Sequence, residues 1–202
     1  MCQETCKNVK TEEVKKELAE KFRGVLSELY RNSGTPEKIG CPSIADTPSR
    51  VAKLYVDEIF KGLFTPPPVL TTFPNKGNYT NILIEKDIEF TSCCEHHFLP
   101  IIGKATIAYI PEEKILGLSK FHRVVDWFAS RPQVQENLTT DIFDFLCKSL
   151  ATENVYVLIK ADHYCCKIRG VKDQSSSTIT TSIGGKFWQP EVRQELLTLI
   201  SL

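Results

Sequence analysis

The sequence predicts an α+β domain with an antiparallel sheet and helices on one face, preceded by a helical extension. Three observations predict it. Segments of helical and strand period come in pairs, helix–helix, strand–strand, helix–helix, strand–strand, unlike the strict alternation of a doubly wound parallel sheet. At 202 residues the chain can bury a sizeable core. Its composition, 42% hydrophobic and 25% charged, is that of a globular protein, and 25 basic residues balance 25 acidic ones. That neutral balance gives no global pull toward nucleic acid or an anionic membrane, so any anion site must be built locally.

The first helix is expected over about Glu12 to Arg31, with Val14, Leu18, Phe22, Val25 and Leu29 at helical spacing. Glu12 and Glu13 favour its N-terminus, and Asn32-Ser33-Gly34 ends it. In the second helix Thr47 is placed to cap, Pro48 takes the first position, and the helix runs to about Lys61 and stops at Gly62. Arg50 and Lys53 share a face of it; by spacing alone they read as a solvated pair. Leu63 to Thr80, with Pro66-Pro67-Pro68, reads as a surface connection within one domain.

Strand-like sequence follows at Ile82 to Glu85 and Ile88 to Ser92, then at Lys104 to Ile110, where Ala105, Ile107 and Tyr109 alternate with Lys104, Thr106 and Ala108. A third helix opens at Gly117-Leu118-Ser119-Lys120, capped by Ser119, with Leu118, Phe121, Val125 and Phe128 toward the core. Lys120 and Arg123 lie one turn apart at its positive end. That is either an anion site suited to phosphate or an ordinary cap with two exposed cations. A fourth helix is expected from Pro132 to about Leu150, with Val134, Leu138, Ile142, Phe145 and Ser149 inward and Gln135 and Glu136 in its first turns. Val155 to Ala161 and Ser175 to Ser182 read as strands, and Pro190 to Ser201 as a closing helix. No apolar run approaches the roughly 20 residues that span a bilayer. The first residues lack a signal-peptide core, so a cytoplasmic location is expected.

The chemistry concentrates at Cys93-Cys94-Glu95-His96-His97, which holds two of the chain's four histidines. Thiolates and imidazoles suit a transition metal, zinc first among them, and Cys94 with His97 or Cys93 with His96 has ligand spacing. Either pair alone leaves the metal under-coordinated. Asp162-His163-Tyr164-Cys165-Cys166 also follows a strand, so Cys94, His97 and Cys165 could share one ion with a fourth position open. An open position marks catalytic zinc, whose default chemistry is hydrolysis. His96 and His163 remain beside it, able to move protons near neutral pH. Eight cysteines in a reducing compartment point to metal or free thiols before disulfides. Cys147 reads as helix packing and His122 as a surface group.

Asp46-Thr47-Pro48-Ser49-Arg50-Val51-Ala52-Lys53, Cys94-Glu95-His96-His97, Gly117-Leu118-Ser119-Lys120, Arg131-Pro132-Gln133-Val134-Gln135-Glu136, His163-Tyr164-Cys165 and Arg169-Gly170-Val171 occur in the order seen in GTP cyclohydrolase I. Over about Asp46 to Phe187 the chain resembles that family. The resemblance implies a tunnelling fold, a four-stranded antiparallel sheet with helices on one side, assembled into a ring, usually a homodecamer with sites between subunits. Residues 1–45 would be an N-terminal helical extension and 46–202 the catalytic domain.

The implied reaction is hydrolytic opening of GTP at guanine C8 with formate release, rearrangement and closure to 7,8-dihydroneopterin triphosphate, using one Zn²⁺ per subunit. Carried over by position, Cys94, His97 and Cys165 would be the zinc ligands and His96 and His163 the proton-transfer pair. Glu136 would hold the guanine N1–H and amine, with Gln135 beside it. Ser119, Lys120, Arg123 and Arg169 would hold the triphosphate, with Arg50 and Lys53 given by a neighbouring subunit. Cys93 and Cys166 are extra thiols; on a strand each would point away from the ligand next to it. Two other readings share the scaffold: a zinc-free, NADPH-dependent nitrile reductase acting on a deazapurine, and a non-catalytic zinc or thiol sensor. The intact Cys-Glu-His-His and His-x-Cys set argues against the first. The sensor has no need of the histidines and the guanine carboxylate.

Overall fold

The computed structural model describes residues 11–33 and 41–202. Cys2, Cys6 and Gly34 lie outside them. The chain gathers into two compact units that part at Pro66–Pro67, inside the proline run that reads from sequence as a connection within one domain.

The first unit is helical. Helix α1 (Thr11–Arg31) turns Val14, Leu18, Ala19 and Phe22 inward, and Lys15 bridges Glu12 at 2.6 Å and Asp57 at 3.0 Å. Val25 and Leu29, expected in the inward stripe, are 54% and 63% exposed. The inward face continues instead at Leu26 and Tyr30, in four-residue steps from Val14, Leu18 and Phe22. Helices α2 (Pro42–Ala45) and α3 (Thr47–Leu54) follow. Thr47 is already helical, and Asp46 occupies the capping position without a side-chain cap bond. Beyond α3 the backbone widens into one π turn, Tyr55–Ile59, whose Tyr55 ring stacks on Phe22 at 5.8 Å between centroids. Gly62, expected to stop the helix, lies inside α4 (Lys61–Phe64).

The second unit carries the sheets. Strands β1 (Thr72–Pro74) and β4 (Lys114–Leu116) make a small antiparallel ribbon that the sequence reading missed. The main sheet contains β2 (Leu83–Cys94), β3 (Pro100–Tyr109), β5 (Pro132–Gln133), β6 (Val155–His163) and β7 (Thr178–Ile183), in the order β5-β2-β3-β6-β7. The four long strands pair antiparallel, as expected, and β5 adds a two-residue parallel edge. The two segments expected at Ile82–Glu85 and Ile88–Ser92 are one strand. Its register shifts between Glu85 and Ile88, where Asp87 enters the left-handed region at φ 59°, a bulge and not a break.

Helices α5 (Ser119–Ala129) and α6 (Gln135–Leu150) cover one face. Phe121, Val124, Val125, Leu138, Ile142 and Leu146 meet Ile88, Phe90, Ala105, Ile107, Val157 and Ile159 there. Helix α8 (Pro190–Ser201) and the 3₁₀ turn Gly185–Trp188 cover the other, with Phe187 and Leu196 packed among Ile82, Ala108, Ile110 and Tyr156. Helices therefore lie on both faces, a correction to the one-face expectation.

Three local readings are also corrected. Leu118 is 57% exposed and caps α5 by position only, so Ser119 is its first residue. Pro132 does not open α6. It lies with Gln133 beside Cys93 and Cys94 as an edge strand, where a residue lacking N–H is tolerated, and α6 begins at Gln135. Cys165 and Cys166 lie on the helical turn α7 (Tyr164–Lys167), so strand alternation does not separate them.

Candidate metal and nucleotide site

Strand register assembles the site. Ile101 on β3 pairs with Ser92 on β2 and with His163 on β6, so β2 and β6 deliver their ends together on either side of β3. The β2–β3 connection turns tightly. Cys94 N–H donates to Leu99 O at 2.8 Å and Phe98 N–H to Cys94 O at 2.8 Å, with Phe98 left-handed at φ 53°. That turn holds Glu95, His96 and His97.

The ligand atoms of Cys94, His97 and Cys165 all lie within 4.8 Å of one another, and Cys94 Sγ is 3.9 Å from His97 Nδ1. Tetrahedral zinc with sulfur and nitrogen ligands needs separations of about 3.6–3.8 Å, so a small closure would seat one ion on these three. Among the described residues this is the one His/Cys/Asp/Glu group so placed. Cys165 is half-buried, and burial followed by the neighbouring Cys94 pushes its thiol up to about 11. The extra thiols fall outside the group: Cys93 is buried, with Sγ 3.9 Å from Cys94 O, and Cys166 is exposed.

His96 and His163 flank the cluster. His96 Nδ1 lies 3.8 Å from Cys94 Sγ, and its Nε2 lies 3.8 Å from Glu95 Oε1. His163 Nε2 is 2.8 Å from Gln135 Oε1. Burial lowers the His163 pKa, against the opposing charges of Glu136 and Asp162, so the imidazole favours its neutral form. Glu136 is exposed on the first turn of α6, where the helix dipole favours a carboxylate.

Gln133 ties the start of α6 to the cysteine strand. Its Nε2 donates to Phe128 O at 2.8 Å and Ser92 Oγ at 2.9 Å, and Glu95 N–H donates to Gln133 O at 3.2 Å. From sequence Gln133 looks like an ordinary residue near a helix start, and no spacing signal distinguishes it.

Arg169 donates from Nη1 to His97 Nε2. Its loop is closed at the base by Lys167, whose Nζ donates to Gln174 O at 2.6 Å and pairs with Asp162 at 3.4 Å. Gln174 Nε2 donates back to Lys167 O at 2.5 Å. Ser119, Lys120 and Arg123 stand on the first turns of α5, Ser119 and Arg123 exposed and Lys120 half-buried. Arg50 and Lys53 lie on α3 in the helical unit, with Arg50 3.6 Å from Asp46 and both exposed. His122 is exposed, as expected, 3.0 Å from Glu85.

Within this one chain, then, the structure groups Cys94, His96, His97, Cys165, His163, Gln135, Glu136 and Arg169. Two cysteines and a histidine beside a neutral imidazole can hold a metal and move protons. No helix is long and apolar enough to cross a membrane among the described residues.

The family model for GTP cyclohydrolase I matches residues 19–201. A protein named GTP cyclohydrolase 1 from Edwardsiella ictaluri (strain 93-146) is 52% identical over 160 residues, covering 78% of this chain and 73% of that protein. Those of Enterobacter sp. (strain 638) and Yersinia enterocolitica are each 51% identical over 160 residues, covering 78% of this chain and 72% and 73% of theirs. Among solved structures, an archaeosine synthase QueF-Like in the apo form aligns with a TM-score of 0.42 at 18% identity, covering 52% of this chain and 95% of that one.

Proposed function

The chain belongs to the GTP cyclohydrolase I family, and on that premise we propose that it hydrolyses GTP at guanine C8. Formate leaves, the ribose rearranges, and closure gives 7,8-dihydroneopterin triphosphate, the opening step of pterin-type synthesis. The observation that carries this reading is the grouping of Cys94, His97 and Cys165 beside His163 and Glu136 at the ends of β2 and β6, on either side of β3.

Cys94, His97 and Cys165 would hold the zinc ion; when bound it supplies Lewis-acid activation of water near neutral pH. His163, kept neutral by burial, accepts and returns a proton at the opening ring, and His96 serves the exposed side of the same cluster. Glu136 accepts from the guanine N1–H and exocyclic amine, a two-point match for a carboxylate. Arg169 with Ser119, Lys120 and Arg123 engages the triphosphate, the α5 N-terminus adding its own N–H groups.

A ring-shaped homo-oligomer, a decamer in the family pattern, would add Arg50 and Lys53 from a neighbouring subunit. The open outer ladder of β7, an edge strand, is consistent with such assembly. No part of the reading requires a membrane or a nucleic acid, and a cytoplasmic location suits GTP and free thiols.

The test is formate release and pterin formation from GTP, measured with added zinc and with a strong chelator. Zinc-loaded protein should give both products, and chelated protein or His163→Ala neither. Failure of the zinc-loaded, assembled protein would remove the reading, and turnover of a nitrile with NADPH by metal-free protein would replace it.

A further inference from the structure

We propose that Gln135 is a positioning residue that fixes the tautomer of His163, placing the ring proton on Nε2 and leaving Nδ1 as the ring's acceptor. The inference rests on the hydrolase reading for its catalytic consequence, and on hydrogen-bond logic alone for the tautomer.

Gln135 is only 1% exposed, at the first position of α6. Its Nε2 faces Ile159 O at 3.1 Å, Thr178 O at 3.1 Å and Thr180 Oγ1 at 3.0 Å. Two of these are backbone carbonyls, which can only accept, so the amide cannot be flipped without setting its oxygen against them. The hydroxyls agree. Thr139 Oγ1 donates to Gln135 O at 2.8 Å and has no second proton. The 2.6 Å contact between Thr139 and Thr180 must therefore be a donation from Thr180, which leaves Thr180 Oγ1 to accept from Gln135.

With Nε2 so committed, Gln135 Oε1 is the atom that faces His163 Nε2 at 2.8 Å, and an amide oxygen only accepts. The proton is then on His163 Nε2, and in the neutral ring Nδ1 carries the lone pair. Both ends of the Gln135 amide are spent within the fold. That removes it from the guanine contacts, where its position beside Glu136 would place it, and makes it the support of the proton-transfer ring.

The experiment uses the zinc-loaded full chain, with steady-state kinetics for Gln135→Met and Gln135→Glu and ¹⁵N spectra of histidine-labelled protein at alkaline pH, His163 being assigned with His163→Gln. Gln135→Met should lower kcat about 100-fold, the scale of general acid–base catalysis, while the GTP KM stays within about threefold. Gln135→Glu, protonated at this buried position, keeps an acceptor toward His163 Nε2 and an O–H toward the Ile159 and Thr178 carbonyls, and should recover kcat to within about tenfold of wild type. The spectra should show a protonated Nε2 and an unprotonated Nδ1 on His163. A protonated Nδ1, or a Gln135→Met variant with a raised KM and an unchanged kcat, would overturn the proposal. If Gln135→Met fails to fold, Gln135→Glu and the wild-type spectrum decide. If wild-type protein does not turn over GTP, the hydrolase reading fails while the spectrum still tests the tautomer.

Discussion

Ser92 and His163 are both register partners of Ile101, one on each side of β3, and Cys94 and Cys165, two members of the candidate metal group, each follow two residues later. The two halves of the metal group are 71 positions apart in sequence by number (165 minus 94), yet one residue of β3 sets both. Errors in that register should therefore reach the site before they reach the helices.

Gly103 tests this. It pairs with Ala161, two residues along the ladder from the Ile101–His163 pair. A Cβ there would fall 2.4 Å from Lys160 O and 2.5 Å from Ala161 Cβ, both part of the neighbouring strand and unable to swing aside. Gly103→Ala should destabilise the fold by about 1–3 kcal/mol, the usual cost of overpacking. Metal uptake should weaken in the protein that remains folded. A variant with unchanged thermal stability and zinc content would show that β3 can shift without disturbing the site.

Metal content should separate Cys94, His97 and Cys165 from the thiols beside them. Wild-type protein should bind about one zinc per chain, and Cys94→Ser, His97→Ala and Cys165→Ser should each lose most of it, because three protein ligands leave little redundancy. Cys93→Ser and Cys166→Ser should retain it, since neither thiol belongs to the group. Elemental analysis of the five purified variants checks this, and loss of zinc in Cys93→Ser would add that thiol to the ligand set.

The pairing of helices with antiparallel strands, the extent of α8 and the grouping of Cys94, His97 and Cys165 were legible because each rests on local pattern or on residue types with few other uses. Contacts between distant segments were not. Ala108 looks polar-facing in an alternating strand, but residues far along the chain, Phe187 and Leu196 among them, cover its face. Pro132 reads as a helix start because proline suits that position, but pairing with Cys93 uses it as an edge strand instead. Gln135 was visible as a neighbour of Glu136, while its partners Ile159, Thr178 and Thr180 lie 24 to 45 residues away.

Asp173 gives a pH signature next to the Arg169 loop. Its carboxylate accepts from Ser175 N–H at 2.9 Å, Ser175 Oγ at 2.9 Å and Ser176 N–H at 3.3 Å, and these bonds hold its pKa down to about 2. The folded value lies below the ordinary 3.8, so the turn's contribution is fully present above 3.8 and is lost as pH falls through about 2. At about pH 3, where a free aspartic acid is mostly protonated, Asp173 should remain ionised. The Ser175 and Ser176 amide shifts should then be nearly those of neutral pH. A titration step in those amides centred near 3.8, or no change on Asp173→Asn, would count against the bonded turn.

Lys167 should govern substrate affinity without touching substrate. Its side chain is 12% exposed, and with Asp162 and Gln174 it closes the base of the loop that presents Arg169. Lys167→Met keeps the aliphatic stem and removes the charge-assisted bonds, which are worth about 1.5–3 kcal/mol before solvent screening and less beside the 47%-exposed Asp162. If only part of that is felt by the loop, the GTP KM should rise about tenfold, with kcat within about twofold and zinc content unchanged. The effect should shrink for guanosine analogues lacking the outer phosphates, because Arg169 would then have less charge to meet. Equal losses for the triphosphate and the truncated analogue would show that Lys167 supports the metal group through Cys165, not the loop that carries Arg169.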